Sequence, residues 1–420
     1  MAKQPALIPL EQTRLPEKYE ERLEYRHWVT PQSLAAAPIH RWFVFPHSFG
    51  RELVWKLIDE WGLGPEDHIL DPFVGAGTTL LAAKEKGISA TGVDLSPFAA
   101  FVSQTKLKDY RTEELQTAQT RIISRFLNSA LSPVQDEDSF LRKCFNPEVY
   151  QVLRGLKAAV LAEADEKIRG FSLLGILAIL SSFSLMIRDG GWLRLRPREI
   201  DADEILPRFK GQISSMISDL NSAPAPSHLS DHRVYVGDAR TLEMEGKYSA
   251  VITSPPYPNR HDYSRIFNVE LSFAFLNDSE VKVLRHKSFR SHVEAERQEK
   301  YETSAFPDSL IRLIGRVKEK KADRRVPSML MGYFQDTYNT LNSLKNVLTT
   351  GAKLAFVVGN VRYKGEMIEV DDILAQLAQE AGYKWLNTWI VRYRGNSAQQ
   401  MGIYGREAAR ESVVIIQKDF

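Results

Sequence analysis

Residues 68–94 constrain this chain more than any other stretch. A short apolar run, His68-Ile69-Leu70-Asp71, leads straight into Asp71-Pro72-Phe73-Val74-Gly75-Ala76-Gly77-Thr78-Thr79. A helix is expected over Leu80 to Lys86, closed by Gly87, and Ser89-Ala90-Thr91-Gly92-Val93 reads as the next strand, ending in Asp94. Strand, glycine loop, helix, strand and acid in this order make a βαβ unit, which commits the chain to parallel strand pairing.

The rest of the chain repeats that alternation. Strand signals recur at Arg233–Val236, Tyr248–Ile252, Lys353–Val358, Lys384–Tyr393 and Glu411–Gln417, with helices expected at Tyr333–Leu348 and Asp371–Ala381. The pattern predicts an α/β fold with a doubly wound, mostly parallel sheet, and the two closing strands predict an antiparallel edge. Residues 1–38 read as an irregular N-terminal segment with one short helix around Glu17–Tyr25. The sheet domain is expected over 39–108 and 233–420. A helical insert spans 109–232, closed by the linker Ser222–Ser227, and a charge-rich insert spans 258–327. The helical insert falls where it would lie above the carboxyl ends of the strands, the place where open α/β sheets bind ligands. Ahead of the βαβ unit runs the aromatic segment His40–Phe49. Ser48 is the expected N-cap of a helix carrying Leu53, Leu57, Ile58 and Trp61.

Composition narrows the class. With 43% hydrophobic and 26% charged residues in 420, the chain has ample core for two or three domains. A net charge of +2 leaves attraction to nucleic acid to local patches. One cysteine, Cys144, excludes an internal disulfide and a cysteine metal cluster, and fits a reducing, cytoplasmic setting. Phe171–Ile187 carries no charge over 17 residues, but its four serines and one glycine read as a buried helix rather than a membrane span.

Three ligand loops resemble 71–79. A phosphate-cradling loop needs a lysine after its last glycine, and none stands here. A dinucleotide fingerprint needs a third glycine where Leu80 stands. An S-adenosylmethionine loop needs glycines that let backbone approach the methionine portion, and an acid such as Asp94 for the ribose. A plain strand–helix turn needs none of these together, so the combination points to an adenosine-bearing cofactor. Farther on, Thr253-Ser254-Pro255-Pro256-Tyr257 ends a strand abruptly. Its two prolines remove two donors and fix two φ angles, giving a rigid turn that pushes a tyrosine toward a cleft.

Taken together, Asp-Pro-Phe-x-Gly-x-Gly-Thr-Thr and Thr-Ser-Pro-Pro-Tyr resemble the amino-methyltransferases of DNA, over about residues 40–105 and 233–420. The resemblance implies a class I methyltransferase (Rossmann-like) fold and S-adenosylmethionine as cofactor. By position, Asp71, Phe73, Gly75, Gly77 and Thr78 would hold its methionine end. Asp94 would hold its ribose, Asp238 would approach its adenine, and Phe49 belongs to a further contacting segment. Ser254, Pro255, Pro256 and Tyr257 would form the catalytic motif. The amine lone pair of cytosine is delocalised into the ring. The Ser254 hydroxyl and the Pro255 carbonyl are suited to accept its hydrogens, and Tyr257 to stack on a base flipped out of the duplex. Serine first in this motif favours cytosine N4 over adenine N6. Transfer RNA methylases share similar motifs but usually carry aspartate or asparagine there. A non-catalytic DNA-binding subunit would not need the intact motifs. The cofactor loop precedes the catalytic motif by about 180 residues, whereas many cytosine-N4 enzymes have the reverse order.

The implied partners are double-stranded DNA and a cognate restriction endonuclease, with no membrane and no metal. Residues 282–325 hold 13 lysines and arginines against seven acids, and Arg285, Lys287 and Arg290 lie in the densest part. Arg260 directly follows the catalytic turn, where His261 and Asp262 are placed to orient it. Arg194 and Arg196 lie in a loop, Asp189–Arg198, whose Trp192 is suited to a groove or to the gap a flipped base leaves.

Overall fold

The structure, a computed structural model, describes residues 17–129, 139–223, 228, 230–296, 301–320, 323–395, 405 and 408–419. Residues 224–227 of the expected linker and 297–300 of the charged insert lie outside these. The first part of the chain holds β1 (Tyr19–Glu21), α1 (Arg51–Trp61), β2 (His68–Asp71), α2 (Thr78–Glu85), β3 (Ser89–Asp94) and α3 (Pro97–Leu107). The helical insert holds α4 (Thr112–Leu127), α5 (Leu141–Cys144), α6 (Pro147–Leu161) and α7 (Glu166–Phe183). It ends with β4 (Met186–Asp189), β5 (Trp192–Leu195) and α8 (Ile205–Ser222). Then come β6 (His232–Val236), β7 (Tyr248–Thr253), α9 (Tyr263–Ile266), α10 (Asn268–Ala274), α11 (Asp278–Lys287), α12 (Asp308–Glu319) and α13 (Arg325–Val347). The chain closes with β8 (Leu348–Gly359), β9 (Val361–Tyr363), β10 (Glu366–Ile368), α14 (Val370–Glu380), β11 (Tyr383–Arg394) and β12 (Ala409–Lys418).

Eight strands form one sheet in the order β1-β11-β12-β8-β7-β2-β3-β6. Strands β6, β3, β2, β7 and β8 run parallel, and β12 enters antiparallel between β8 and β11. β7 and the second half of β8, Leu354–Gly359, are nearly continuous runs of buried residues because helices cover both faces of the sheet. One face carries α12, α13 and α14, the other α1 and α2. β3 pairs on one side of β2 and β7 on the other, so chain order reverses there and a crevice opens at the strand carboxyl ends.

Several expectations need correcting. The antiparallel strand is internal: Val413 to Ile416 of β12 are all buried, and a strand apolar on both faces needs neighbours on both sides. The edge belongs to β1, whose Tyr19 pairs with Thr388 of β11. The N-terminal segment is therefore not irregular throughout, and the short helix expected around Glu17–Tyr25 is a single 3₁₀ turn, Leu23–Tyr25, after β1. Tyr25, Val29 and Leu34 are buried, and Tyr25 stacks on Trp28 with ring centres 4.3 Å apart. Helix α1 is capped by Gly50 rather than Ser48. Its N–H bonds the Trp28 carbonyl at 2.6 Å, and a Cβ there would lie 2.6 Å from Glu52 Oε2. The expected loop 189–198 begins as a hairpin, β4–β5, joined through Gly190-Gly191 with Gly190 at φ +60°.

The helical insert forms its own core with α3 and α9–α11, in which Trp42 meets Phe171 edge-on at 5.1 Å. The uncharged stretch 171–187 supplies the buried helix α7. Among the described residues no helix is long and apolar enough to cross a membrane.

Candidate active site at the carboxyl ends of the sheet

A cavity of about 180 Å³, partly open to solvent, lies over the ends of β2, β3, β6 and β7. Phe49, Asp71, Phe73, Gly75, Thr78, Asp94, Asp238, Ser254 and Pro256 line it. The glycine loop is folded back onto β3: Val74 N–H bonds Val93 O at 2.9 Å, and Gly75 N–H bonds Asp94 Oδ2 at 3.0 Å. Gly75 and Gly77 take φ of +50° and +83°, a region glycine enters without strain. Gly77 is not among the lining residues. A Cβ there would lie 2.5 Å from Ser103 Oγ, so this glycine serves the close packing of the loop on α3.

Asp71 is fully buried. Its Oδ1 accepts the Thr253 hydroxyl at 2.6 Å and Phe73 N–H at 3.1 Å, which ties the cofactor loop to the strand ahead of the Ser-Pro-Pro-Tyr turn. Asp94 also accepts Ser96 N–H, at 2.9 Å. Burial pushes both carboxyls up to about 6 against these hydrogen bonds. Asp238 differs: Arg240 grips both its oxygens, at 2.9 and 2.6 Å, and holds its carboxyl below the usual range despite burial.

Ser254 donates its hydroxyl to Val357 O of β8 at 3.1 Å. Tyr257 stands next to the lining residues Ser254 and Pro256 but is not itself among them. Its hydroxyl reaches Glu411 Oε1 at 3.4 Å, and the Arg394 guanidinium lies 5.8 Å from its ring centre. Asp262 caps α9 and is bound by Arg265 and by Arg285, the latter at 2.9 Å. The His261 ring lies 4.8 Å from that of His47, which lines the cavity.

With this geometry in hand, comparison with known proteins is direct. The sequence model of the family described as DNA methylase matches residues 9–104, which include the glycine loop and Asp94. The chain is 28% identical to the type II methyltransferase M.BsoBI of Geobacillus stearothermophilus, across 97% of this chain and 92% of that one. It is 27% identical to the type II methyltransferase M.AvaI of a Nostoc species, across 94% and 89%. By these matches the chain is similar to the DNA amino-methyltransferases. The family's cofactor is S-adenosylmethionine, and the cavity fits a ligand of its charge. Neither Asp71 nor Asp94 has an ion-pair partner among the described residues, so a cationic group entering the cavity meets two uncompensated buried carboxyls. A solved structure, TrmN from Thermus thermophilus, aligns over 88% of this chain and 48% of its own at 12% identity, with a TM-score of only 0.28.

The residues expected at nucleic acid fall into two groups. Arg285 is bound to Asp262 and Ser264, and Arg290 to the wholly buried Asp336. Arg260, at φ +71°, is held by Ser291 O and by an ion pair with Asp323 at 3.1 Å. Lys287, Arg194 and Arg196 are exposed. Sequence reasoning missed Phe267, Leu284, Ser288, Phe289 and His292, which line the cavity together with Tyr263. Phe289 meets Phe73 edge-on at 5.4 Å. An aromatic between Arg285 and Arg290 was the available signal. No described residue of the helical insert is among those that line the cavity.

Proposed function

We propose that this chain is a site-specific DNA methyltransferase acting on the exocyclic N4 amine of a flipped-out cytosine, as the protective half of a restriction–modification pair. The observation that carries this reading is the Ser254 hydroxyl, which spends its proton on Val357 O at 3.1 Å beside the cavity. Its lone pairs are thereby left as acceptors for an amine hydrogen. The Pro255 carbonyl, on a turn stiffened by two prolines, is the second acceptor. Two acceptors on the amine hydrogens favour a pyramidal nitrogen with its lone pair directed away from the ring. When bound, S-adenosylmethionine supplies an electrophilic methyl group on a sulfonium, and the main task left to the protein is alignment.

In this reading Asp71, Phe73, Gly75 and Thr78 hold the methionine end, with Gly77 shaping the loop. Asp94 retains lone pairs for ribose hydroxyls beyond its two backbone bonds. Asp238 is oriented by Arg240 toward the adenine, and Phe49 closes the cavity. Tyr257 stacks on the target base, its hydroxyl tethered by Glu411. The near full-length similarity to two type II methyltransferases supports a DNA substrate and a partner nuclease. The test is expression in a methylation-free host followed by modification-sensitive sequencing of its DNA. N4-methylcytosine at a fixed site is the expected result. Modified adenine overturns the choice of base, and unmodified DNA overturns the catalytic reading.

A further inference from the structure

We propose that the β4–β5 hairpin is a wedge that enters the duplex beside the target base, with Trp192 filling the space the base vacates. This rests on the reading of the cavity as a flipped-base methyltransferase site. Four observations carry it. First, the hairpin tip is seated at the mouth of that site. A Cβ on Gly191 would lie 2.6 Å from His261 Cδ2 and 3.3 Å from His261 Cα, so the tip touches the segment that follows Tyr257. His261 in turn stacks near the cavity-lining His47.

Second, Trp192 stands at this tip 49% exposed, with the Arg265 guanidinium 4.7 Å from its ring centre. Arg265 is itself pinned by Asp262 and Glu294, so the indole is positioned in advance. Third, the hairpin is anchored at its base. Arg188 donates to Ile266 O and pairs with the buried Glu270, and Arg198 donates to the carbonyls of Ser181, Ser182 and Ser184. Fourth, Leu195 is 53% exposed and Arg194 and Arg196, both exposed, flank it, with Arg194 paired to the exposed Asp189 at 3.3 Å; among the described residues none of the three belongs to a core cluster.

The chemistry selects duplex DNA as the occupant. A base that leaves the stack exposes the faces of its neighbours. An aromatic ring replaces that stacking whatever the sequence, because every base has a π-face. Arginines beside the inserted ring neutralise the phosphates of the opened step.

The experiment compares single-turnover methyl transfer on a matched duplex with transfer on the same duplex mispaired at the target base. A mispaired base is cheaper to extrude, so a wedge matters less there. Trp192→Ala is expected to slow the matched duplex about 10- to 100-fold, the worth of one base–aromatic stack. The deficit on the mispaired duplex should shrink to about threefold, because less opening has to be compensated. Trp192→Phe should retain most of the rate. Gly191→Ala, which drives the tip off His261, should reproduce the same asymmetry. Equal losses on the two duplexes, or none on the matched one, overturn the wedge. The comparison is read on whichever base the wild-type protein modifies, so an adenine product overturns the base assignment and leaves this test standing. A wild-type protein that modifies no DNA sinks both.

Discussion

Ser254 directs its hydroxyl proton to the Val357 carbonyl and lines the cavity. Ser254→Ala removes that hydroxyl without touching the cofactor loop. Turnover is expected to fall about 10²- to 10³-fold, the usual cost of losing one preorganised transition-state contact. Cofactor affinity, followed by calorimetry, should stay near wild type, and its loss would mean that the motif's role is misassigned. Asp94 supports a prediction in pH. Burial pushes its carboxyl up to about 6, above the value of about 3.9 in an unfolded chain. The folded chain therefore keeps a proton that the unfolded chain has lost between about pH 4 and 6, so this group's contribution to stability declines as pH rises through that window. Cofactor binding runs the other way, because the ionised carboxylate is the better acceptor for hydroxyls. Affinity for S-adenosylmethionine is expected to weaken as pH drops below about 6, and Asp94→Asn to weaken that dependence. Calorimetric titrations across this range check both, and an unchanged profile in the variant would assign the dependence to Asp71.

Among the elements, α3 carries the least expected residue. Lys106 is buried, and its ammonium donates to His40 O, Phe43 O and Ala76 O at 3.0, 2.7 and 3.0 Å. It thereby fastens the aromatic segment to the glycine loop. Burial alone lowers its pKa to about 7. Lys106→Met keeps the volume but strands three buried carbonyls. We expect a loss of about 3 kcal/mol in urea unfolding, and full stability would mean that the carbonyls find other donors. No pattern in the sequence marks this lysine, since it stands in an apparently ordinary helical run. What was legible were the sheet strands and the two motifs, because apolar runs ending in glycine, proline or aspartate encode their own boundaries. β2 and β3 fall where residues 68–94 predicted them. What escaped was decided by distant partners. β1 is a strand only because β11 stands ready to pair with it, and β4–β5 is a hairpin seated against His261. Likewise Phe289 reads as part of a basic run until Phe73 and Tyr333 close around it.

Over the whole molecule, charge divides into arginines that hold the protein together and arginines that face outward. Asp336, fully buried, binds both Arg240 and Arg290. Arg290→Ser should therefore cost about 3–5 kcal/mol of stability, as breaking a buried pair does. It should leave the salt dependence of DNA binding unchanged. The double change Arg194→Ser with Arg196→Ser should do the opposite, lowering the slope of log affinity against log salt by about 2 at unchanged stability. Fluorescence anisotropy on duplex DNA at several salt concentrations, beside urea unfolding, separates the two classes. An unchanged slope in the double variant would remove the hairpin from the DNA interface. The edge of the sheet, finally, sets an order in time. Lys18 and Trp385 are joined by a hydrogen bond across 367 positions of chain, and among the described residues β1 has β11 as its one strand neighbour. During synthesis at roughly 5–20 residues per second, the first strand waits on the order of 20–70 s before the ribosome delivers its mate. Strand β12, which joins β11 to β8, emerges later still, so β1 and β11 are tied to the rest of the sheet only once β12 has been made.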